Sequence, residues 1–311
     1  MTGPALGEDA AVLRPSAGDL LIAAADPITF PTRRPGWYAV HVNANDIATR
    51  GGVPRWFLAT LLLPSDASPD TATGLLDEVA SACAEVGAHL VGGHTEITPS
   101  VRRPIISGCM LGVVPPDRLR RTGGAESGDH LVLSGYVGVE GTSVLASVAA
   151  AALRQSGMPA DAISDAELLV ERYGISVLPA ARVATPLAHA MHDLTEGGLA
   201  TAVLELAGAS GVGAIVELDS VPILPLTSET CRALGLGPLG LLSSGSLLIA
   251  APPDAASDLL RRLTVAHIPA AQIGKLTSDR GVWMERRGAR EPLPEFARDE
   301  VARWLALAPG D

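Results

Sequence analysis

One segment of this 311-residue chain carries more structural information than any other: Val42-Asn43-Ala44-Asn45-Asp46-Ile47-Ala48-Thr49-Arg50-Gly51-Gly52-Val53-Pro54. The apolar run at residues 37–42 leads into it and predicts a strand, which ends where Asn45 and Asp46 begin. The glycine pair 51–52 then ends a short segment, as expected for a turn. The sequence thus places a carboxylate where an apolar element meets a glycine-rich turn.

The same arrangement recurs in four other short loop motifs along the chain. They are Gly7-Glu8-Asp9, Ala25-Asp26-Pro27, Gly92-Gly93-His94-Thr95-Glu96 and His192-Asp193-Leu194-Thr195-Glu196-Gly197-Gly198. Taken alone, an Asp in such a place is most often a helix cap or a turn former. If these carboxylates converge, they form a site for Mg²⁺, a hard cation that prefers oxygen ligands and bridges them to phosphate.

The composition favours a folded protein that avoids polyanions. Hydrophobic residues make up 47% and charged residues 18% of the chain, which excludes disorder as its main state. Lysine plus arginine is 23 and aspartate plus glutamate is 34, so the net charge is −11. An acidic field repels nucleic acids and anionic membrane surfaces. We therefore expect a small-molecule substrate or a partner-protein group, with no nucleic acid and no membrane as partner.

A single lysine, Lys275, limits the ways in which this chain can bind a nucleotide. The phosphate loop G-x-x-x-x-G-K-[ST] does not occur in the sequence. Phosphates would have to be neutralised by arginines, helix N-termini or metal ions held on carboxylates. The sequence at 235–240 matches G-x-G-x-x-G, but it follows a helix-like segment and contains a proline, so we reject a dinucleotide site there.

Three cysteines, Cys83, Cys109 and Cys231, show neither C-x-x-C spacing nor clustering. They predict no zinc site and no disulfide framework, and a reduced cytoplasmic setting fits them best. No apolar run approaches the roughly 18 residues of a membrane span, and no export signal follows Met1. We therefore predict a soluble cytoplasmic protein.

Strands and helices alternate irregularly, which favours an α+β fold over a doubly wound α/β sheet. The clearest helix in the first half is capped by Ser68, begins at Pro69 and ends at Gly87. The pattern weakens between residues 120 and 128, so we predict two domains, 1–125 and 126–311.

Two glycine-rich turns in the second half are candidates for phosphate binding. Gly135, Gly138 and Gly141 follow a predicted strand and precede a helix, an arrangement that serves equally well as a tight turn without a ligand. Residues 195–198 open a second helix, whose free N–H groups could receive a phosphate. The candidate residues from these turns are Gly135, Gly138, Thr195 and Gly197.

Five segments, in this order and spacing, resemble one family of ATP-using enzymes. They are residues 7–13, 42–54, 90–98, 138–142 and 191–211. Over nearly its whole length the chain resembles the superfamily of aminoimidazole-ribonucleotide (AIR) synthase, selenophosphate synthetase, thiamine-monophosphate kinase and the hydrogenase-maturation factor HypE. Residues 26–31 and 45–54 are most similar to HypE-like hydrogenase maturation proteins.

The resemblance implies an AIR synthase-like homodimer that binds ATP and Mg²⁺, with an N-terminal α/β dimerisation domain and a C-terminal α+β domain. Magnesium ligands, at the matching positions, would be Asp9, Asp26, Asp46 and Asp193. Residues around the nucleotide phosphates would be Asn45, Gly92, Gly93, His94 and Thr95. In the family, ATP phosphorylates a poor leaving group or nucleophile, often an amide-type oxygen, and electrostatic stabilisation supplies most of the catalysis.

Departures from HypE limit what the resemblance implies about the reaction. HypE proteins end in Pro-Arg-Ile-Cys, whose thiol accepts the carbamoyl group, whereas these 311 residues end without a cysteine. HypE also has Asn-Glu-Gly where this chain has Ser243-Ser244-Gly245, so a glutamate of the active site is missing. Three hypotheses follow: a HypE-like ATP- and Mg²⁺-dependent enzyme without its own acceptor thiol, a thiamine-monophosphate-kinase-like small-molecule kinase, and a non-catalytic dimeric scaffold. No catalytic residue is assigned.

Overall fold

The computed structural model describes residues 11–13, 18–29 and 32–307, with side chains from residue 18 onward. The chain forms two compact units, which divide between Leu119 and Arg120. The sequence-based domain limits, 1–125 and 126–311, place the division a few residues later. Both units combine helices with strands, and the predicted α+β class is confirmed. Within the described ranges, no helix is long and apolar enough to span a membrane.

The first unit contains one mixed sheet and two helices among its described residues. They are β1 (Ala11–Leu13), β2 (Leu20–Ala24), β3 (Pro27–Ile28), α1 (Pro35–Thr49), β4 (Val53–Leu63), α2 (Pro69–Val86), β5 (His89–Ile97) and β6 (Ile105–Val114). The order across the sheet is β1-β2-β6-β4-β5, and β3 pairs with β6. Strands β4 and β5 run parallel, and the other pairs are antiparallel. Strand β5 therefore lies at an edge.

Helix α1 packs on this sheet and against α2. The sheet contributes large, fully buried side chains to the core of the unit: Ile22, Phe57, Ile106 and Met110. Other apolar residues of β4 are more than a third exposed, among them Trp56 at 39% and Leu58 at 38%. One side of the sheet is thus covered, while the other presents apolar side chains to the surface.

Helix α1 replaces the strand that the sequence predicts for residues 37–42, so that prediction was wrong. Thirteen of its 15 residues are buried, and its apolar residues therefore show no one-sided helical periodicity. Pro35 in the first turn and the strong helix formers Ala39, Ala44 and Ala48 favour the helix. As a result, Asn45 and Asp46 lie inside a helix rather than at the end of a strand.

Helix α2 begins and ends where its capping residues predict. Ser68 Oγ accepts a hydrogen bond from Thr71 N (3.2 Å), and Pro69 occupies the first helical position. Gly87 ends the helix with a φ of 75°, a left-handed conformation that glycine adopts without strain. The prediction for this helix is confirmed.

The second unit contains a seven-stranded sheet and nine α-helices among its described residues. The strands are β7 (His130–Ser134), β8 (Ala190–Asp193), β9 (Gly213–Glu217), β10 (Leu247–Ala251), β11 (Ala270–Thr277), β12 (Val282–Arg286) and β13 (Ala289–Pro292). The helices are α3 (Val139–Val148), α4 (Ala150–Gln155), α5 (Ala160–Glu167), α6 (Leu169–Tyr173), α7 (Leu178–Ala184), α8 (Gly198–Ser210), α9 (Pro225–Leu234), α10 (Pro253–Val265) and α11 (Glu300–Leu307). Short 3₁₀ helices are at Thr122–Gly124, Leu218–Ser220 and Pro238–Gly240, and a further one, at Pro116–Arg118, belongs to the first unit.

The strand order in the second sheet is β13-β12-β9-β11-β7-β10-β8. All five residues of β10 are buried, and one face of the sheet packs with helix α8 in a common core. Its fully buried members include Leu131, Leu133, Leu248, Ile273, Leu199 and Val203. This core fixes the ends of β7, β8 and β10, from which the candidate turns extend.

Candidate functional site

Three turns of the second unit meet at one end of its sheet because their strands are paired there. Leu247, the first residue of β10, pairs with Ser134 at the end of β7 and with Asp193 at the end of β8. The loop before β10 contains residues 243–246. The candidates that the structure brings to this end of the sheet are Gly135, Gly138, Asp193, Thr195 and Gly197.

The glycine turn after β7 has backbone groups that the protein itself uses. Gly138 N donates to Ser243 Oγ (2.7 Å), and Gly135 N donates to Pro269 O (2.8 Å). A Cβ on Gly138 would come within 3.0 Å of the Leu241 side chain, so this glycine is closely packed. Of the two alternatives for this turn, these contacts favour the tight turn over the phosphate-binding turn.

The turn before α8 is occupied by a carboxylate from far along the chain. Gly197 N donates to Asp299 Oδ2 (2.9 Å), and Val301 N donates to Asp299 Oδ1 (2.8 Å). Thr195 is half-buried, and its carbonyl accepts a hydrogen bond from Gly198 N (3.1 Å). The Asp299 carboxylate thus lies at the N-terminus of α8, where the sequence predicts a phosphate. The positive end of the helix dipole attracts a carboxylate as it would attract a phosphate. A phosphate could bind here only if Asp299 moved away.

Asp193 is a buried carboxylate with one unsatisfied oxygen. Its side chain is 2% exposed, and its Oδ2 has no hydrogen-bond partner among the described residues. Its Oδ1 lies 4.0 Å from His192 Nδ1, and His192 Nε2 lies 2.9 Å from Glu205 Oε2 on α8. A buried oxygen without a partner is destabilising, and a bound cation would remove that cost.

In the first unit, Asn43 holds the turn of one predicted aspartate against the helix that carries another. Asn43 Oδ1 accepts from Asp26 N (2.9 Å), and Asn43 Nδ2 donates to Asp26 O (3.2 Å) and to Ala39 O (2.8 Å). Residues three apart on a helix lie on the same face, so Asn43 and Asp46 are neighbours on α1. Asn43 therefore fixes the Asp26 turn beside the helix face that carries Asp46. Asn45 and Asp46 are both buried.

Residues 92–95 lie inside strand β5, whereas the sequence predicts a loop for them. Two adjacent glycines disfavour a strand, but this strand is an edge held by parallel pairing to β4. A Cβ on Gly93 would lie 1.9 Å from Ala59 O, whereas a Cβ on Gly92 would meet nothing within 4 Å. Strand pairing therefore requires Gly93, while Gly92, His94 and Thr95 are exposed.

The predicted magnesium ligands fit the chemistry of that ion. Asp26, Asp46 and Asp193 offer only oxygen donors, which Mg²⁺ prefers, and the unsatisfied oxygen of Asp193 is suited to a cation. Within the described ranges, no three His, Cys, Asp or Glu side chains are grouped closely enough to hold a metal. The fourth ligand, Asp9, lies outside those ranges. The ligand set therefore stays a prediction.

Sequence analysis missed Glu140, a carboxyl group beside Ser244. Glu140 is 1% exposed, and its Oε2 accepts a hydrogen bond from Ser244 N (3.2 Å). Burial raises its pKa to about 7, hydrogen bonds from Ser244 oppose that shift, and the charges of Asp299 and Glu196 add to it. A carboxyl group thus lies at the 243–245 loop although residue 244 is serine. The acidic residue in the first turn of α3 was the available signal.

Asp299, at the N-terminus of α8, is a second buried carboxyl group whose charge acts on Glu140. Asp299 is 8% exposed, and burial raises its pKa to about 6, while the N–H groups of Gly197 and Val301 oppose the shift. The charges of Glu196 and Glu300 raise the pKa further. Glu140 and Asp299 therefore hold protons more strongly than exposed carboxyl groups do.

Two of the three cysteines are poor nucleophiles. Burial raises the pKa of Cys83 to about 11 and that of Cys231 to about 12, so both are thiols at neutral pH. Cys83 lies on the buried face of α2, where it packs as a small apolar residue. Cys109, on β6, is half-buried.

The G-x-G-x-x-G match at 235–240 has a structural role. Gly235 ends α9 in the left-handed conformation, with a φ of 66°. Gly237 N donates to Glu300 Oε1 (2.8 Å), and a Cβ on Gly240 would lie 2.4 Å from the Phe296 ring. Gly237 and Gly240 thus pack against the Phe296 ring, just before α11.

Comparison with known proteins assigns both halves of the chain to one family. The family described as AIR synthase related protein, N-terminal domain, matches residues 7–114. The family described as AIR synthase related protein, C-terminal domain, matches residues 126–285. The carbamoyl dehydratase HypE of Cupriavidus necator is 28% identical over 310 residues, covering 96% of this chain and 84% of that protein.

Two solved structures extend the likeness to three dimensions. The crystal structure of a HypE–HypF complex has a TM-score of 0.78 at 20% identity and covers 94% of each chain. The crystal structure of the hydrogenase maturation protein HypE in complex with ATP has a TM-score of 0.73 at 26% identity and covers 96% of this chain and 92% of that one. The chain therefore belongs to the AIR synthase related protein family, as its motifs imply.

Proposed function

We propose that this protein is a HypE-like, ATP- and Mg²⁺-dependent enzyme that phosphorylates an amide-type oxygen of its substrate. The observation that carries the proposal is the extent of the likeness, because relatives named carbamoyl dehydratase HypE match along nearly the whole chain. A HypE solved with ATP matches both units at 26% identity, which supports ATP as the nucleotide. The proposed role is in hydrogenase maturation or a related modification.

The edge strand β5 is the proposed site of the nucleotide phosphates. An edge strand presents N–H and C=O groups that do not take part in the ladder of its own sheet. Gly92 adds no side chain there, and His94 and Thr95 add exposed side-chain donors. Together with Asn45 on α1, these residues would bind and orient the phosphates.

Carboxylates would hold Mg²⁺ in this enzyme, and the proposed ligands are Asp9, Asp26, Asp46 and Asp193. When bound, the ion would neutralise phosphate oxygens, a task for which the chain offers only one lysine. Asn43 contributes indirectly, since its hydrogen bonds orient the Asp26 turn. The unsatisfied oxygen of Asp193 supports a cation at that residue.

The group that receives the phosphate belongs, in this proposal, to a small molecule or to a partner protein. Cys83 and Cys231 are buried thiols with raised pKa values, which makes them unsuitable as carriers of a carbamoyl group. In one related structure HypE is assembled with HypF, a precedent for delivery by a protein partner.

We propose that the exposed apolar residues on β4 form a dimer interface with a second copy of the chain. Val53 is 43% exposed, and Trp56 and Leu58 lie on the same strand. We expect Leu58→Glu to convert a dimer into a monomer in sedimentation velocity. Leu76→Glu on α2 is the control, since Leu76 is 37% exposed in a different part of the unit. A monomeric wild-type protein would contradict the dimer, and dissociation by both variants would contradict the placement of its interface on β4.

The reaction is tested by measuring ADP release with three substrate classes: carbamoyl compounds, thiamine monophosphate and aminoribonucleotides. The proposal predicts Mg²⁺-dependent turnover with a carbamoyl compound and its loss in Asp193→Asn. Turnover with thiamine monophosphate alone would instead establish a small-molecule kinase. If the protein shows neither Mg²⁺-dependent ATP binding nor turnover of any of the three classes, it is a scaffold and the proposal is wrong.

A further inference from the structure

A cavity of about 200 Å³ opens within the second unit, beside the ends of β7 and β10. Its lining includes Tyr136, Tyr173, Ser176, Ser244, Ser246 and His267. A cavity of about 150 Å³ is large enough for benzene, so this one can hold a single ring with a small substituent. The function proposed above assigns it no role.

Backbone contacts make the cavity wall rigid. Gly135 has a φ of 85°, and a Cβ there would lie 2.9 Å from Gly245 O. Gly245 has a φ of 96°, and a Cβ there would lie 2.8 Å from Gly174 O. Because these segments touch through their main chains, the wall cannot collapse by a change of side-chain rotamer. The shape is therefore formed before a ligand arrives.

An aromatic pair forms one side of the cavity. The rings of Tyr136 and Tyr173 are 5.2 Å apart in a T-shaped arrangement, with an interplanar angle of 68°. Tyr173 is 49% exposed, so much of this large ring lies at the surface. Aromatic rings favour offset or edge-to-face contact with a further planar group. This side of the cavity is suited to a ring.

The rest of the lining includes hydroxyl and backbone groups without formal charge. Ser176, Ser244 and Ser246 are part of the lining. The Ser246 hydroxyl donates to Tyr136 O (2.8 Å) and the Ser244 side chain is hydrogen-bonded to Glu140, so these two offer a ligand their acceptor lone pairs, while the Ser176 hydroxyl is the donor and acceptor for a ligand. The lining contains no Asp, Glu, Lys or Arg, and His267 is its only imidazole. A phosphate would find no fixed positive charge here, and an ammonium group no carboxylate.

We propose that this cavity binds a small, uncharged, planar molecule bearing a primary carboxamide-type group, with its ring against Tyr136 and Tyr173 and its amide toward the serines. An amide supplies both a donor and an acceptor, which matches hydroxyl and backbone partners. The inference goes beyond the proposed function, because this ligand carries no phosphate and its binding requires no nucleotide.

The test is ligand-observed NMR with benzamide as probe, in the absence of nucleotide. Benzoate and benzylamine are the controls, because they have similar size but opposite charges. We expect saturable binding of benzamide, with a Kd at least about tenfold lower than that of either charged compound. Equal binding of all three compounds, or no saturable binding of benzamide, would overturn the proposal.

Variants then locate the bound probe. Tyr173→Ala removes an exposed ring and should weaken benzamide binding severalfold, whereas Ser176→Phe fills the cavity and should abolish binding. Val265→Ala is the matched surface control, since Val265 is 71% exposed and does not line the cavity. Thermal unfolding confirms that each variant is folded. Unchanged binding in both cavity variants would place the probe elsewhere and contradict the assignment.

Discussion

The edge strand β5 and the turns at the end of the second sheet have similar glycine-rich sequences but different surroundings. On β5, Gly92 is exposed and faces open space. In the second unit, the N–H groups of Gly138 and Gly197 are already bonded to Ser243 and Asp299. A glycine-rich motif therefore indicates an anion site only where its donors are not used within the protein.

The largest expected effect comes from the glycine pair on β5. Gly93→Ala should destabilise the first unit by about 4 kcal/mol or more, because the new Cβ would overlap Ala59 O. Gly92→Ala is the matched control and should change stability by less than about 1 kcal/mol. Urea unfolding measures both values. Equal effects of the two substitutions would show that the strand pairing of β5 is wrong.

The next effect is the pH dependence of stability that comes from Glu140, the buried carboxyl group bonded to Ser244 N. Glu140 has a pKa of about 7 in the folded state against an ordinary value of 4.5. Its protonated form is favoured by folding, so this stabilisation is complete below the ordinary value and is lost as pH rises through about 7. The loss amounts to roughly 3 kcal/mol, and Asp299 contributes with the same sign.

Glu140→Gln should therefore flatten the pH dependence of stability. We expect the variant to be more stable than wild type at about pH 8 and similar to it at about pH 5, because glutamine carries no charge to bury. Thermal unfolding across this range is the measurement. If the wild-type protein instead became more stable as the pH rises through about 7, the assigned burial of Glu140 would be wrong.

A smaller effect is expected where Asp299 occupies the N-terminus of α8. Asp299→Ala should cost about 1–3 kcal/mol, since the Gly197 and Val301 N–H groups lose their acceptor. Asp219→Ala, which removes a 62% exposed carboxylate in the same unit, should change stability by less than about 1 kcal/mol.

The same variant sharpens the comparison of the two glycine-rich regions. Sulfate should raise the melting temperature of Asp299→Ala more than that of the wild type, because the helix terminus becomes free for an anion. An identical sulfate response in both proteins would mean that Asp299 does not exclude anions from this turn.

Local signals in the sequence were sufficient where an element is amphipathic and capped. Helix α2 has Ser68, Pro69 and Gly87 at its limits, and each acts through its immediate neighbours. Helix α1 was misassigned because it is buried on nearly all sides, which removes the periodicity that distinguishes a helix from a buried strand. The family followed from motif order, and the α+β class followed from the irregular alternation of strands and helices, which one misassigned element does not change.

The candidate site depends on contacts that no local pattern encodes. Asp299 reaches Gly197 across 102 positions, and Glu140 reaches Ser244 across 104. The family resemblance implies Asp26 and Asp46 as two of four magnesium ligands, but only the fold reveals that Asn43 joins the Asp26 turn to α1. Tertiary packing, rather than residue type, decides which glycine turns keep free donors.

The most direct test of the proposed function is calorimetric titration with a non-hydrolysable ATP analogue, with and without Mg²⁺. We expect Mg²⁺-dependent binding by the wild type and about tenfold or greater weakening in Asp46→Asn, which loses a carboxylate charge. Asp77→Asn, which removes an exposed carboxylate on α2, should bind as the wild type does. Binding that is independent of Mg²⁺, or equal in wild type and Asp46→Asn, would contradict the account.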